Sequence, residues 1–534
     1  MSTDAVTSDA LPDESTLPDD PETLKGMIRE LLALLHNREQ ELSGVQQRLD
    51  QLLRRLYGPK GEHFRPDQPS LFDGAAEPAP PSMPVPTEPV VRVRPGHGRR
   101  RLPADLNRER VVHDVPEAEK VCPCCQAPRV KIGEETSEQL DYRPAKLFVV
   151  EHVRLKYACP KCLKTSSEAP SSVSDTPSSH IVVAAKPAQP IDKGLPGPGL
   201  LAHVITSKYA DHQPLHRQEA MLARNGVELS RSTLADWMAA SAELLKPLYK
   251  LMLTQVLLGR VVQTDEIRVP VLQPGLKQTK SGRLWVYVGD RDHPYLVYDY
   301  RPNKSRDGPA DILKNYQGFL QADAANVFDG LYLPGGIVEV GCFAHARRHF
   351  YDARETDATR SAEALTHIRG FYLIEDEARD LILRQRLDGE AADELRLRLR
   401  QERTKEKLAV FAAWLEDQAP RVLPKSPIGQ AIAYARRQWI AINRFTEHGF
   451  LNIDNNASER ALRAVALGRK NYLFCGSDAG GQTAAILYTA AQTCRRHSVD
   501  PFVYLKDVLE RLPNSRPDDL PHFLPDRWLA AQSH

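Results

Sequence analysis

The sequence predicts a multidomain chain: an N-terminal coiled coil, a zinc ribbon, a helix-turn-helix, and a layered α/β core interrupted by an all-helical insertion. Three observations carry this. A seven-residue leucine repeat runs near the N-terminus, two Cys-x-x-Cys pairs follow, and after residue 255 helical periodicity gives way to short strands and then to strand–helix alternation. At 534 residues the chain has room for three or four domains.

The totals narrow the class. Hydrophobic residues make up 41% and charged residues 26%, normal for soluble globular protein. No stretch approaches eighteen consecutive apolar residues, so no membrane span is expected. The first 22 residues carry seven acids and lack the basic and apolar regions of a signal peptide, so a cytoplasmic protein is expected. A net charge of +1 announces no polyanionic partner, but residues 92–110 hold seven arginines against Asp105 and Glu109. Local patches of that kind matter more to a phosphate backbone than the sum.

In residues 24–57, Ile28, Leu35, Leu42, Leu49 and Leu56 recur every seven positions, and Leu24, Leu31, Val45 and Leu52 fill the second seam with Arg38 as its one polar break. Such a narrow stripe suits self-association as a homodimer or higher oligomer; a helix packed on its own chain would show a wider one. Residues 65–103 hold ten prolines and end in "GHGRRRLP", a linker whose arginines either touch phosphates or are simply solvated. In 104–165, Cys122 and Cys125, then Cys159 and Cys162, form two knuckles that can present four thiolates to one tetrahedral Zn²⁺. Cys124 is the odd one out, and the rival reading is a group of buried or redox-active thiols. A Ser- and Pro-rich linker covers about 166–198. Within 199–250, one helix ends near Asn225-Gly226 and a second opens after Ser230 or Ser232 with Arg231 near its start. That is the outline of a helix-turn-helix, although two short packed helices can mimic it.

The core is predicted over 256–351 and 451–513, with helices throughout 352–450 and a C-terminal tail at 514–534. "GRVVQTDEIRVPVL", "RLWVYVGD" and "YLVYDYRP" read as three strands joined by short turns. A helix over 308–316, the strand "GFLQAD", a helix over "ANVFDGLY", the strand "GIVEVGCF" and the helix "AHARRHFYDA" follow. A five-stranded mixed sheet of ribonuclease-H type accommodates this order. Asp265 lies at or near the end of the first strand and Asp323 ends the fourth. On adjacent strands they would share one edge and could bind a hard cation such as Mg²⁺. Two acids among 70 carry little weight unless a third joins them. "DNNASERALR" offers Glu459, although Asn456 to Glu459 also fits a variant capping box with no function at all. If Glu459 is a ligand, the cap falls to Asp454, Asn455 or Asn456, and Arg463, one turn on, could steady the carboxylate. "GSDAGG" feeds a helix but lacks the Gly-Lys-Ser/Thr of a nucleotide loop.

Several longer stretches together resemble TnpC-type transposases of the bacterial insertion-sequence sixty-six family, whose core is of the DDE type. They are "LRRLYGPKGEHF", "CPCC" with "KYACPKC", "KGLPGPGLLAHVITSKYADHQPLHRQE", "GVELSRSTLADW", "GRLWVYV", "CFAHARRHF", "DNNASERALR" and "LGRKNYLFCGSDAGG". The resemblance implies an acidic triad at Asp265, Asp323 and Glu459 holding Mg²⁺ or Mn²⁺. It differs locally: Ile267 and Arg268 stand where Thr-Pro is usual, Ala324-Ala325 where Gly-Tyr is usual, and Ala457-Ser458 where Pro-Ala is usual. The implied activity is DNA cleavage and strand transfer at the terminal inverted repeats of an insertion element, with target DNA as second substrate. Small accessory proteins of the same element are implied partners. Arg231, Arg460, Arg463, Arg469 and Lys470 are the expected DNA contacts. Two rivals share parts of this reading: a DNA-binding regulator without catalysis, and a ribonuclease-H-like nuclease that only hydrolyses.

Overall fold

The structure is a computed structural model that describes residues 20–23, 25–32, 34, 38, 147–153, 155–158, 181–183, 188–275, 278–332 and 336–532. Most of the heptad segment, the Pro-rich linker and all four predicted zinc cysteines lie outside the described residues. Within the heptad segment, residues 25–32 are helical, and Ile28 and Leu31 are exposed. Two short strands, β1 (Lys156–Ala158) and β2 (Ile181–Val183), pair antiparallel, which puts a strand inside the stretch read as a Ser- and Pro-rich linker. No described helix is long and apolar enough to cross a membrane.

From residue 198 the chain builds α1 (Pro198–Tyr209), α2 (Leu215–Arg224) and α3 (Arg231–Leu258). Gly226, at φ +82°, takes the left-handed conformation that turns the chain out of α2, and Ser230 caps α3 by accepting from the Thr233 amide at 3.2 Å. The expected helix–turn–helix outline is present, but its second helix is 28 residues long and leads straight into the core. Leu201, Ile205, Leu234, Trp237 and Leu245 belong to the same apolar cluster as the main sheet. These helices are therefore part of the core's packing rather than a detached module.

The sheet holds β3 (Val261–Val271), β4 (Lys280–Val288), β5 (Leu296–Arg301), β6 (Gly318–Gln321) and β7 (Ile337–Val340) in the order β5-β4-β3-β6-β7. The first three strands are antiparallel meander neighbours; β6 and β7 run parallel to β3. Side-chain alternation along β4 separates two layers. Leu284, Val286 and Val288 pack with α11 (Asn456–Tyr472), α12 (Asp478–Arg496) and α13 (Pro501–Arg511). Trp285 and Tyr287 face the other way, with Met252 and Val256 of α3 and Leu313 of α4 (Asp307–Leu313). Residues 326–330 form turns, so the helix expected over "ANVFDGLY" is absent; Gly330 and the preceding Asp329 favour a turn.

After β7, α5 (Phe343–Ala353) leads into the helical region. Its helices are α6 (Ala358–Gln385), α7 (Gly389–Leu399), α8 (Lys405–Gln418), α9 (Pro427–Arg437) and α10 (Trp439–Asn443). Phe343, Phe350, Phe371, Phe411 and Phe445 fill its interior, and Val261 and Val340 of the sheet join the same cluster. The insertion is thus welded to the sheet edge. Gly341 makes this possible, since a Cβ there would stand 2.7 Å from Ile442. The C-terminal stretch is folded rather than trailing: Phe523, Leu524 and Trp528 are buried, and α14 (Pro525–Gln532) is anchored by a bond from the Tyr295 hydroxyl to Asp526.

Candidate active site

The strand register brings the first two predicted acids level with one another. Gln263 pairs with Gln321 across the parallel β3–β6 ladder, and Asp265 and Asp323 each stand two residues further along. Asp323 follows the end of β6, but Asp265 does not end the first strand as expected, because β3 runs on to Val271 in antiparallel pairing with β4. Odd-numbered residues of β3 share a face with Val269 and Val271, the face on which α11 packs. Glu459 lies in the first turn of α11.

What aligns these elements is a set of buried amides beneath the acids. Gln263 Nε2 donates to Gln321 Oε1 at 2.7 Å and to the Asp454 carbonyl at 3.3 Å. Gln321 Nε2 donates to the carbonyls of Gly341 and Asn452. Asn455, fully buried, donates from Nδ2 to the Thr264 carbonyl at 2.8 Å, next to Asp265. Its amide donates to Cys342 Sγ at the start of α5. The side chain of Asp454 caps α11, accepting from the Asn456 amide at 3.1 Å. Of the three cap candidates, Asp454 supplies the oxygen, while Asn455 ties the helix to the sheet. Tyr372, on α6 of the insertion, donates to Asp454 at 3.0 Å and so secures the cap from the far side.

Glu459 does not make the capping-box bond back to the helix start, nor does it pair with Arg463. Its carboxylate stands 3.6 Å from His345 Nε2 and 3.6 Å from Arg348, both on α5. Residues 345, 348 and 349 share one face of α5 because they are three and four apart. Local sequence does not single out His345 and Arg348 as site residues, although both lie in "CFAHARRHF", one of the stretches that carry the family resemblance. Two positives at spacing 3 on a helix directly after a parallel strand was the available signal.

The electrostatics are those of an acid-rich site with little counter-charge. Burial lifts the Asp265 carboxyl to about 7, the charges of Asp323, Glu459 and Glu266 push the same way, and one bond from the Glu266 amide opposes them. Burial also lowers the His345 imidazole, against the pull of Glu459 and Asp323. As the side chains stand, no three His, Cys, Asp or Glu among the described residues are gathered tightly enough to hold a metal ion. The donor set nevertheless fits a hard divalent cation: three carboxylates, with the charges of Asp323 and Glu459 felt at Asp265 and with Glu459 only loosely paired.

The expected DNA contacts divide. Arg460, Arg463 and Lys470 are exposed along α11. Arg469 is occupied by the Arg268 carbonyl of β3, and Arg231, on α3, pairs with Glu219 at 3.4 Å.

Residues 193–483 match the family model "Transposase IS66 family", and 119–162, which enclose Cys122, Cys125, Cys159 and Cys162, match "zinc-finger binding domain of transposase IS66". Residues 491–525 match "IS66 C-terminal element", and 45–111 match "Transposase C of IS166 homeodomain". Among curated proteins, uncharacterized protein y4qI of Sinorhizobium fredii is 34% identical over 435 residues, covering 78% of this chain and 75% of the relative. Uncharacterized protein y4jD of the same organism is 33% identical, covering 81% and 82% respectively.

Proposed function

Because this chain belongs to the transposase IS66 family, we propose that it cuts DNA at the ends of a mobile element and joins the freed ends to target DNA. The observation that carries the proposal is the register of β3 and β6, which sets Asp265 and Asp323 level beside the helix that bears Glu459. The sheet order, with the first strand central and an antiparallel meander on one side, supports reading the core as ribonuclease-H-like.

In this reading Asp265, Asp323 and Glu459 hold Mg²⁺ or Mn²⁺. When bound, the cation offsets the negative charge that accumulates on attacking and leaving oxygens in phosphoryl transfer. The protein's own residues supply position. Asn455 and the Gln263–Gln321 pair fix the helix of Glu459 against the strand of Asp265, while His345 and Arg348 hold the Glu459 carboxylate. In the first step a water oxygen bonds to phosphorus at the element end, the bond to the 3′ oxygen breaks, and that oxygen leaves protonated as a 3′-hydroxyl. In the second step the hydroxyl oxygen bonds to a target phosphorus and gives up its proton to solvent, the bond to the target's own 3′ oxygen breaks, and that oxygen takes a proton from solvent as it leaves.

Around this core, Cys122, Cys125, Cys159 and Cys162 hold a structural Zn²⁺, and the zinc module with α2 and α3 recognises the element ends. The heptad segment pairs two chains so that two ends can be brought together, with small accessory proteins of the element as further partners. The test is incubation of the purified chain with duplex carrying an element end and Mg²⁺. Nicked and joined products are expected, both lost in Asp265→Ala. Nicking without joining would reduce the activity to hydrolysis, and no nicking at all would leave a DNA-binding regulator.

A further inference from the structure

A phosphate backbone cannot settle beside three carboxylates unless cations line the approach. The described structure supplies them on α5, which leads into the helical insertion, and on α9 within it. His349 of α5 and Tyr434 of α9 pack ring on ring, with centroids 4.5 Å apart and planes at 39°. The Arg437 guanidinium lies 6.0 Å from the Tyr434 centroid. Arg348, half exposed, stands one turn from His345 on the same face of α5 and reaches Glu459. Tyr434 lies near the acids: burial raises its hydroxyl pKa, and the charges of Cys342 and Asp323 push it the same way. The imidazole of His349 is lowered first by burial and then by His345, Arg348 and Arg437; Asp352 is the acid that acts against them.

Two neighbouring arginines of α9 behave differently. Arg436 is held by both oxygens of Glu416, at 2.8 and 2.7 Å. Arg437 is exposed and makes no ion pair among the described residues, so its planar fork is free for a phosphate.

We propose that α5 and α9 form a DNA-backbone contact surface beside the three carboxylates, in which the Arg437 and Arg348 guanidiniums, with the His349 ring N–H beside them and all grouped around Tyr434, take the phosphates flanking the reacting one. The occupant is DNA rather than an acidic protein because the surface adjoins, through Arg348 and Glu459, acids whose chemistry acts on phosphodiesters; to that extent the inference rests on the phosphoryl-transfer reading. It gives the insertion a part in holding substrate as well as in bracing the site.

The test uses the full chain and an end-labelled duplex bearing the element end, with binding followed by fluorescence anisotropy between about 50 and 200 mM salt. Arg437→Ala is expected to lower the slope of log affinity against log salt by about 1 and to weaken binding equally on any sequence. Arg437→Lys restores the slope and Arg436→Ala leaves it unchanged. The proposal is overturned if Arg437→Ala keeps the wild-type slope, or if Arg436→Ala shifts it as much. Cleavage by the wild type is measured on the same duplex: its absence counts against the phosphoryl-transfer reading, whereas the slopes judge the surface.

Discussion

Asn455 offers the sharpest test of how the site is assembled. It is fully buried, its side chain does not cap its own helix, and its Nδ2 gives a 2.8 Å bond to the Thr264 carbonyl. The β3–β6 ladder ends at Gln263, so on that side the Thr264 carbonyl has this amide as its partner. Asn455→Ala strands a buried acceptor, which costs about 1–3 kcal/mol. Because no side-chain cap is lost, nothing needs adding for helix initiation. Asn455→Asp keeps the shape but turns a carboxylate oxygen towards the carbonyl, so it should destabilise more than alanine does. Denaturant midpoints measure the stability change. Strand-cleavage rates, taken where both variants are fully folded, measure the positioning effect. Cleavage should fall at least tenfold, since misplacing a reacting group by an ångström can cost about a hundredfold. An aspartate variant as stable as wild type, or wild-type cleavage by both variants, would refute the reasoning.

Further outcomes follow from the same structure. Tyr372→Phe removes the bond to Asp454 while keeping the ring in its packing, so cleavage should fall several-fold with a stability loss of about 1 kcal/mol, measured by the same two assays. Lys208, over the Tyr472 ring at 3.9 Å, is pushed by burial from 10.5 to about 8. Its charge is therefore buried at a cost below pH 8, and that cost shrinks as pH rises through 10.5, above which the group is neutral in both folded and unfolded chains. Lys208→Met should accordingly be more stable than wild type below pH 8, with the gap closing towards pH 10.5; a gap independent of pH would contradict this. Elemental analysis should find zinc in the purified chain at one per molecule, lost on Cys122→Ser or Cys159→Ser, with chelation unfolding the zinc module rather than the core.

Much of the core could be read from the sequence because its strands carry strong local signals. β-branched and aromatic runs marked β3, β4 and β5, and the helix start at Ser230 and the turn at Gly226 obeyed local capping chemistry. The three acids could be singled out by family resemblance, while the expected strand end at Asp265 was misplaced because pairing with β4 carries β3 on to Val271. The partners of Glu459 could not, since His345 and Arg348 lie more than 100 residues away in sequence and meet it only after α5 packs beside α11. Local spacing favoured Arg463, but tertiary packing leaves that side chain exposed. The same limit hid the role of "IDNN": composition announced a helix start, yet Asn455 spends its amide on a strand 191 residues earlier. The folded C-terminus was illegible for a similar reason, because Trp528 is anchored by Asp507 and buried by a long-range contact that its own short helix does not announce.

The central claim is that Asp265, Asp323 and Glu459 act as one site. The most direct measurement compares Asp265→Asn, Asp323→Asn and Glu459→Gln side by side for single-turnover cleavage of element-end DNA with Mg²⁺, with binding of the same DNA measured in parallel. These swaps keep shape and remove charge. The account predicts that each variant binds the DNA and loses cleavage by about 10²–10³-fold or more. A wild-type cleavage rate in any one of the three would contradict it.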